Sequence, residues 1–291
     1  MDVVNQNECI KLIRDFIYEK LEGDIEKIKD FNFNELREDK KYGCPDNNKE
    51  FDADDTILAK AIYCVVWGDD LPDINFNNIG SRKDYRGDII NSFNTLFSSS
   101  LNEKLSNTRG NNYKELKIGS KGFVVEDKKL MLSIIEFHKL YRTIGNMAVL
   151  PNISHNSNNI NQYRGMKWKD YYDKFLLELR LTFLSDYSSN DGFKELLKAN
   201  SFYFDRFEKS ERGFKEFCRL NFIDYYIDNE ISFGISNDNG VVYPSWQMSR
   251  FWRENQNNYN KFAEKYIEKS SEVIRYRGNI ILEQLRKKIS L

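Results

Sequence analysis

The chain is poor in the residues that most catalytic and metal sites require. It has two histidines, His138 and His155, and four cysteines that lie far apart, without a CxxC pair or a matching histidine spacing. Zinc sites need such paired ligands, and most hydrolytic schemes need a nucleophile with an adjacent base. We therefore predict no metal site, identify no cofactor, and expect the cysteines to be reduced thiols.

Net charge and long apolar runs are also missing. Lys and Arg number 44 against 45 Asp and Glu, so no global field draws the protein toward nucleic acid or an anionic membrane. No segment approaches the roughly 18 apolar residues of a membrane span, and the N-terminus lacks the basic start of a signal peptide. These absences predict a cytoplasmic protein with no membrane partner.

Apolar and aromatic residues are abundant and recur at helical spacing. Over 291 residues, 40% hydrophobic and 14% aromatic content is enough for a substantial core. Tyr172, Phe175, Leu176, Leu179 and Phe183 fall on one helical face. Similar stripes elsewhere predict a mainly α fold, a multi-helix globular domain that ends in a long C-terminal helix.

One short segment changes its period. Alternating apolar residues follow residue 230, Asn239-Gly240 supplies a tight turn, and a second apolar run ends at residue 243. This pattern predicts a β-hairpin near 230–243. We place a boundary there, with a main helical domain at 1–229 and a hairpin plus C-terminal helical extension at 230–291 packed on it; one continuous domain is the alternative.

Two polar features within helical sequence have structural interpretations. Asp52, Asp54 and Asp55 precede the run TILAKAIYCVVW, where acidic residues cap a helix more often than they bind metal. Asn221 stands in the apolar stripe of a later helix, and a buried amide must be hydrogen-bonded. We expect Asn221 to hold the Asn-rich loop at residues 152–163.

The least generic stretch is 138–173, which joins two amphipathic segments through a loop rich in Gly, Asn and Pro. Its residue types suit phosphate chemistry, because Arg clamps phosphate, His or Asp moves protons, and Asp can hold a divalent ion. The candidate catalytic residues are His138, Arg164, Asp170 and Asp173, and the candidate binding residues are Arg142, Asn146, Asn161 and Lys167. The alternative is a structural segment, in which Asn146 caps backbone and the apolar residues fill a core.

A net basic loop at residues 108–121 adds four further candidate binding residues, Arg109, Lys114, Lys117 and Lys121. A loop with glycines and cations can cradle phosphate. Its glycines do not follow the P-loop pattern, and a solvated loop is the other interpretation. Nucleic acid is therefore a possible partner through this local patch.

At WGDDLPD, TIGNMAVLP, INQYRG, DYYD and FCRLNFIDYYID, the chain resembles a family of bacterial and phage proteins classed only as a domain of unknown function. The resemblance covers roughly residues 43–228 and implies a mostly helical fold without an established chemistry. The chain departs from the family at residues 61–63, where Ala, Ile and Tyr stand in place of a frequent histidine.

TIGNMAVLP followed by NINQYRG is also similar to a segment near the active site of His-Asn-His family nucleases. That similarity implies a histidine that activates water beside a metal held by Asp, Asn or His. The His-Ile-x-Pro motif of those enzymes has no counterpart in this sequence.

These observations leave two main hypotheses of function, with another protein as the leading partner. The first is a non-enzymatic interaction or regulatory protein of a bacterium or its phage, for example an inhibitor in a host–phage conflict. The second is a nucleic-acid- or nucleotide-directed enzyme that uses residues 138–173, a degenerate nuclease of the His-Asn-His type.

Overall fold

A computed structural model describes residues 6–44, 51–71, 85, 87–90, 117–118, 123–124, 128–156, 158–168, 172–184, 191–227 and 256–289. Within these residues the fold is mainly helical and ends in a long helix, which confirms the predicted class. The α-helices are α1 Gln6–Lys20, α2 Ile57–Trp67, α3 Lys128–Tyr141, α4 Ile160–Trp168, α5 Tyr172–Leu184, α6 Asp191–Ala199, α7 Ser201–Phe204, α8 Glu211–Leu220 and α9 Gln256–Ile289. Short 3₁₀ turns lie at Ile25–Lys29, Phe33–Leu36, Ala53–Asp55, Ile144–Asn146 and Asp224–Tyr226.

Helix α2 lies at the centre of the fold. Every residue from Leu58 to Trp67 is buried, as expected for a helix that is apolar on all sides. Its start is capped by Thr56, whose Oγ1 accepts a hydrogen bond from the Ala59 N–H at 3.2 Å. The prediction that the preceding aspartates cap this helix is therefore wrong.

Helix α9 packs against α2, α3 and the 3₁₀ turn Ile144–Asn146. Gly145 allows this close contact, because a Cβ at that position would collide with the Ile274 carbonyl oxygen. Gly278 faces Gly145, and a Cβ there would lie 3.8 Å from the Gly145 Cα. The two glycines let the backbone of the turn approach the backbone of α9 directly.

Arg277 of α9 is fully buried and binds backbone carbonyls from two distant segments. It donates to the carbonyl of Gly145, to that of Met147 at 2.8 Å and to that of Asn221 at 2.9 Å. Burial lowers the pKa of Arg277 to about 10. The guanidinium thus ties α9 to the 3₁₀ turn and to the end of α8.

The β-strands of the described residues form one short antiparallel pair, β1 Lys117–Ile118 with β2 Phe123–Val124. Lys117 pairs with Val124, and Ile118 pairs with Phe123. The predicted hairpin at 230–243 and the predicted boundary at 229 lie outside the described residues. Of the helices that the structure describes, none is both long and apolar enough to cross a membrane.

Candidate functional site

The segment that follows α3 pairs with residues 85–90, which anchors the centre of the predicted site. The Ala148 N–H donates to the Gly87 carbonyl at 2.8 Å, and the Ile89 N–H donates to the Asn146 carbonyl at 2.9 Å. The buried Asn146 side chain accepts from the Ile90 N–H at 2.8 Å. Its amide donates to the carbonyls of Ile90 at 3.1 Å and Tyr141 at 2.9 Å. In this geometry Asn146 joins two backbone segments.

Arg164 of α4 is fully buried and binds the same segment. It donates to the backbone carbonyl of Asp88, to the Asp88 carboxylate at 2.6 Å and to Asn161 Oδ1 at 2.7 Å. The guanidinium carbon also lies 5.3 Å from the centre of the Tyr172 ring. Because these contacts are internal, Arg164 and Asn161 hold α4 against residues 87–90.

Arg142 and two aspartates extend this arrangement toward the surface. Arg142 forms an ion pair with Asp52 at 3.3 Å and stacks on the Tyr141 ring, 4.6 Å from its centre. Asp54 is only 7% exposed. Burial, the charge of Asp52, a hydrogen bond with Asp52 and the charge of Asp88 raise the Asp54 pKa well above its usual value.

We call Asp52, Asp54, Asp88, Arg142 and Arg164 the Asp–Arg cluster. Asp54, whose pKa is raised, lies beside the half-exposed Asp52 carboxylate, and its Oδ1 atom has no hydrogen-bond partner among the described residues. Within the described ranges, no three His, Cys, Asp or Glu side chains group closely enough to hold a metal ion. The chemistry available to the cluster is proton transfer beside a guanidinium.

The structure brings Arg142, Asn146, Asn161 and Arg164 together. The other predicted site residues lie away from this group or have side chains outside the described residues. Lys167 is exposed in the last turn of α4, with its ammonium 5.9 Å from the centre of the Tyr163 ring. His138 lies in α3, Asp173 in α5 and Lys117 in β1, but their side chains are outside the described residues. Arg109, Lys114, Lys121 and Asp170 lie outside the described residues entirely.

The partner predicted for the Asn-rich loop is wrong. Asn200, at the end of α6, holds this loop: its Oδ1 accepts from the Ile153 N–H at 3.2 Å and its amide donates to the Ile153 carbonyl at 3.0 Å. Asn221 instead donates to the Phe217 carbonyl of its own helix at 3.0 Å. The apolar stripe identified a buried amide correctly, but the spatial neighbour of the loop was a different asparagine.

A groove of about 900 Å³ runs between α3 and α9, and we call it the α3–α9 groove. Its lining positions on both helices repeat at intervals of three and four residues, so each helix presents one continuous face. Leu132 is 53% exposed, while Phe137 and Ile267 are buried. The lining residues are Lys129, Leu132, Ser133, Glu136, Phe137, Glu264, Ile267, Glu268, Ser271, Glu272 and Arg275.

Among the described lining residues of the α3–α9 groove, acidic residues predominate, with four glutamates against Lys129 and Arg275. Glu264, Glu268 and Glu272 stand at successive i, i+4 positions of α9, where like charges destabilise a helix by about 0.2–0.5 kcal/mol per pair. Glu272 pairs with Lys269 at 2.9 Å. In the part of the chain that the structure describes, Glu264 and Glu268 form no ion pair. Among the described residues, the α3–α9 groove therefore combines exposed apolar surface with two glutamates that form no ion pair.

The sequence prediction missed both this groove and Arg277, although each left a signal. Glu264, Glu268 and Glu272 follow each other at i, i+4 spacing in the sequence, which places them on one helical face. Arg277 stands three residues after Ile274 and four before Ile281, within the apolar stripe of α9. A cation inside such a stripe indicates burial rather than a solvated face.

Comparison with known proteins assigns the chain to a protein family. The model of a family of unknown function, DUF6994, matches residues 29–281, and the chain belongs to this family. The search of the curated proteins and the search of the solved structures found no match. Membership confirms the resemblance to an uncharacterised domain family, and the matched range is wider than the 43–228 that the motifs indicated. The similarity to His-Asn-His nucleases stays a prediction.

Proposed function

We propose that the protein is a non-enzymatic interaction or regulatory protein that binds another protein through the α3–α9 groove. The observation that supports this proposal is the partial exposure of Leu132 in a groove of about 900 Å³ whose floor includes Phe137 and Ile267. Grooves between helices with an apolar floor commonly receive an amphipathic helix of a partner. The groove offers apolar contact area that the described part of the chain leaves open.

The arrangement of the predicted catalytic region also supports an interaction role. Arg164 and Asn146 are buried, and their hydrogen bonds go to residues 87–90 and to Asn161 or Tyr141. A buried guanidinium that is already paired with a carboxylate is a poor clamp for an incoming phosphate. These residues hold segments of the fold together.

In its narrower form, the proposal is an inhibitor in a conflict between a bacterium and its phage. The support is compositional: a chain rich in Asn, Lys and aromatic residues is typical of low-GC bacteria and their phages. Small partner-binding inhibitors are common in that setting. The interaction role does not depend on this narrower assignment.

A comparative capture experiment tests the interaction role. The wild-type chain and a Leu132→Gln variant are used as bait in a lysate of the source organism, with Leu184→Gln as a matched control. Leu184 is 45% exposed but lies in α5, outside the groove. We expect a stoichiometric partner that the wild type and the control retain and that Leu132→Gln loses. Capture that is insensitive to Leu132→Gln, or no stoichiometric partner, would contradict the proposal.

One observation favours a second function, a nucleotide- or nucleic-acid-directed enzyme. Asp54 is a buried carboxyl with a raised pKa, it lies beside the Asp52 carboxylate, and Arg142 is the cluster's partly exposed guanidinium. In such an enzyme Asp54 acts as the general acid and Arg142 contacts phosphate. This assignment keeps Arg142 from residues 138–173 and moves the acid–base role to Asp52 and Asp54.

The enzyme hypothesis predicts an activity that depends on Asp54. Wild type and Asp54→Asn are assayed on single-stranded and duplex nucleic acid and on nucleoside triphosphates, with and without Mg²⁺. Loss of turnover in Asp54→Asn, with thermal stability unchanged or raised, supports an acid–base role. An inactive wild type under all of these conditions excludes it.

A further inference from the structure

We propose that the occupant of the α3–α9 groove is a basic amphipathic helix of a partner protein, about three turns long. This inference rests on the proposed interaction role and specifies the partner. Two features of the groove lead to it: an apolar floor that a helix with one apolar face would cover, and a line of glutamates that cationic side chains would neutralise.

The length of the groove sets the length of the helix. From Glu264 to Arg275 the lining follows α9 for roughly 16 Å at 1.5 Å per residue. Along α3 the lining extends from Lys129 to Phe137. A helix of about three turns spans this distance, and apolar residues at i, i+3, i+4 and i+7 would meet Leu132 and the floor.

The charge of the groove sets the chemistry of the helix. Glu264, Glu268 and Glu272 form a ladder of like charges along one wall, and Glu136 stands on the other wall. Glu136 and Glu272 already pair with Lys139 and Lys269 on their own helices. Glu264 and Glu268 form no ion pair with another described residue, so cations of a partner helix would relieve the repulsion between them.

The same charge disfavours other classes of partner. Nucleic acid and an anionic membrane surface bring negative charge to a groove whose described lining residues include four glutamates and two cations. Lys129 and Arg275 stand near opposite limits of the lined segments of their helices, so the described lining residues in the middle of the α9 wall include glutamates and no basic side chain. Lysine or arginine residues that flank an apolar stripe would meet this middle section.

A peptide titration tests the charge of the partner. The probe is a fluorescein-labelled amphipathic helix of about 14 residues with leucines at i, i+3, i+4 and i+7 and lysines on both flanks of the stripe. Its matched controls are the same peptide with glutamate in place of lysine and a neutral version with glutamine. Binding to the full chain is measured by fluorescence anisotropy at about 50 mM and about 500 mM salt.

We expect saturable binding of the basic peptide that weakens at high salt. Glu264→Lys combined with Glu268→Lys should weaken it about tenfold or more, since two attractions become repulsions. Glu283→Lys is the matched control, because Glu283 is an exposed residue of the same helix outside the groove. This control should bind like the wild type, and circular dichroism verifies that all three proteins are folded.

The outcomes distinguish a failure of the basic-helix inference from a failure of the proposed interaction role. If the acidic or neutral peptide binds instead, and Leu132→Gln abolishes that binding, the interaction role is retained and the basic helix is wrong. If the basic peptide shows no saturable binding, or binds the double variant as tightly as the wild type, the inference is overturned. Self-association of the chain that Leu132→Gln abolishes would assign the groove to a second copy, and this too would overturn it.

Discussion

Replacing Asp54 with Asn should stabilise the protein near neutral pH, because the native environment opposes ionisation of this carboxyl. Burial is the largest cause, followed by the negative charge of Asp52, a hydrogen bond with Asp52 and the charge of Asp88. The positive charge of Arg142 acts in the opposite direction but does not outweigh them. In the unfolded chain the same carboxyl ionises near its ordinary value of 3.8.

The sign and the slope of the effect follow from proton linkage. Because the folded-state pKa of Asp54 is raised, its contribution to stability is fully present below 3.8 and is lost as pH rises through the folded-state pKa. Within that window the folded state holds one more proton, and the free energy of unfolding falls by about 1.4 kcal/mol per pH unit. An Asn amide donates to Asp52 as the protonated carboxyl does, so the variant keeps the contact without this slope.

Urea unfolding, followed by circular dichroism at intervals from about pH 4 to about pH 8, measures the effect. The difference between Asp54→Asn and wild type should grow with pH in favour of the variant. Asp55→Asn is the control, because Asp55 pairs at 2.5 Å with the buried Lys60 and its loss should cost about 3 kcal/mol. If Asp54→Asn keeps the wild-type slope or destabilises the protein at neutral pH, Asp54 is ionised in the folded state and the reasoning fails.

Three further substitutions test the buried polar contacts by urea unfolding. Arg277→Met leaves three backbone carbonyls without their donor and should lower the free energy of unfolding by about 3 kcal/mol or more. Its control is Arg275→Met, at an exposed position two residues away, which should change the free energy of unfolding by less than about 0.5 kcal/mol. Arg164→Met breaks a buried ion pair and should cost about 3–5 kcal/mol, against little change for the exposed Lys167→Met. Asn200→Ala removes both hydrogen bonds to the Asn-rich loop, so it should cost about 1–3 kcal/mol and speed amide exchange there. Equal effects within either arginine–control pair, or unchanged exchange in Asn200→Ala, would contradict these assignments.

The helical class could be predicted because its signal is local. Apolar stripes at helical spacing, such as the one through Phe175 and Leu179, reflect which face of a helix is buried, and this is written in neighbouring residues. The start of α2 was also within reach, since Thr56 stands directly before the apolar run. The aspartates before Thr56 are also typical of a helix start, but in the structure Asp55 pairs with Lys60.

Contacts between distant residues could not be predicted in the same way. Arg277 binds the carbonyl of Met147, 130 positions away, and Asn146 binds Ile90, 56 positions away. Such pairs depend on how helices pack, and one sequence does not report packing. Four of the predicted residues, Arg142, Asn146, Asn161 and Arg164, do meet in the structure, and their role as a functional site stays a prediction. The residues that complete it, Asp54 and Asp88, come from earlier segments.

The central claim is that the α3–α9 groove is where a partner protein binds, and site-specific photocrosslinking measures this directly. A benzophenone side chain is placed at position 132 in the groove or at position 184 in α5, and each protein is irradiated in a lysate of the source organism. We predict one major crosslinked partner from position 132, whose crosslinked segment is a basic amphipathic helix, and none of that partner from position 184. The same crosslinked products from both positions, or none from position 132, would contradict the account.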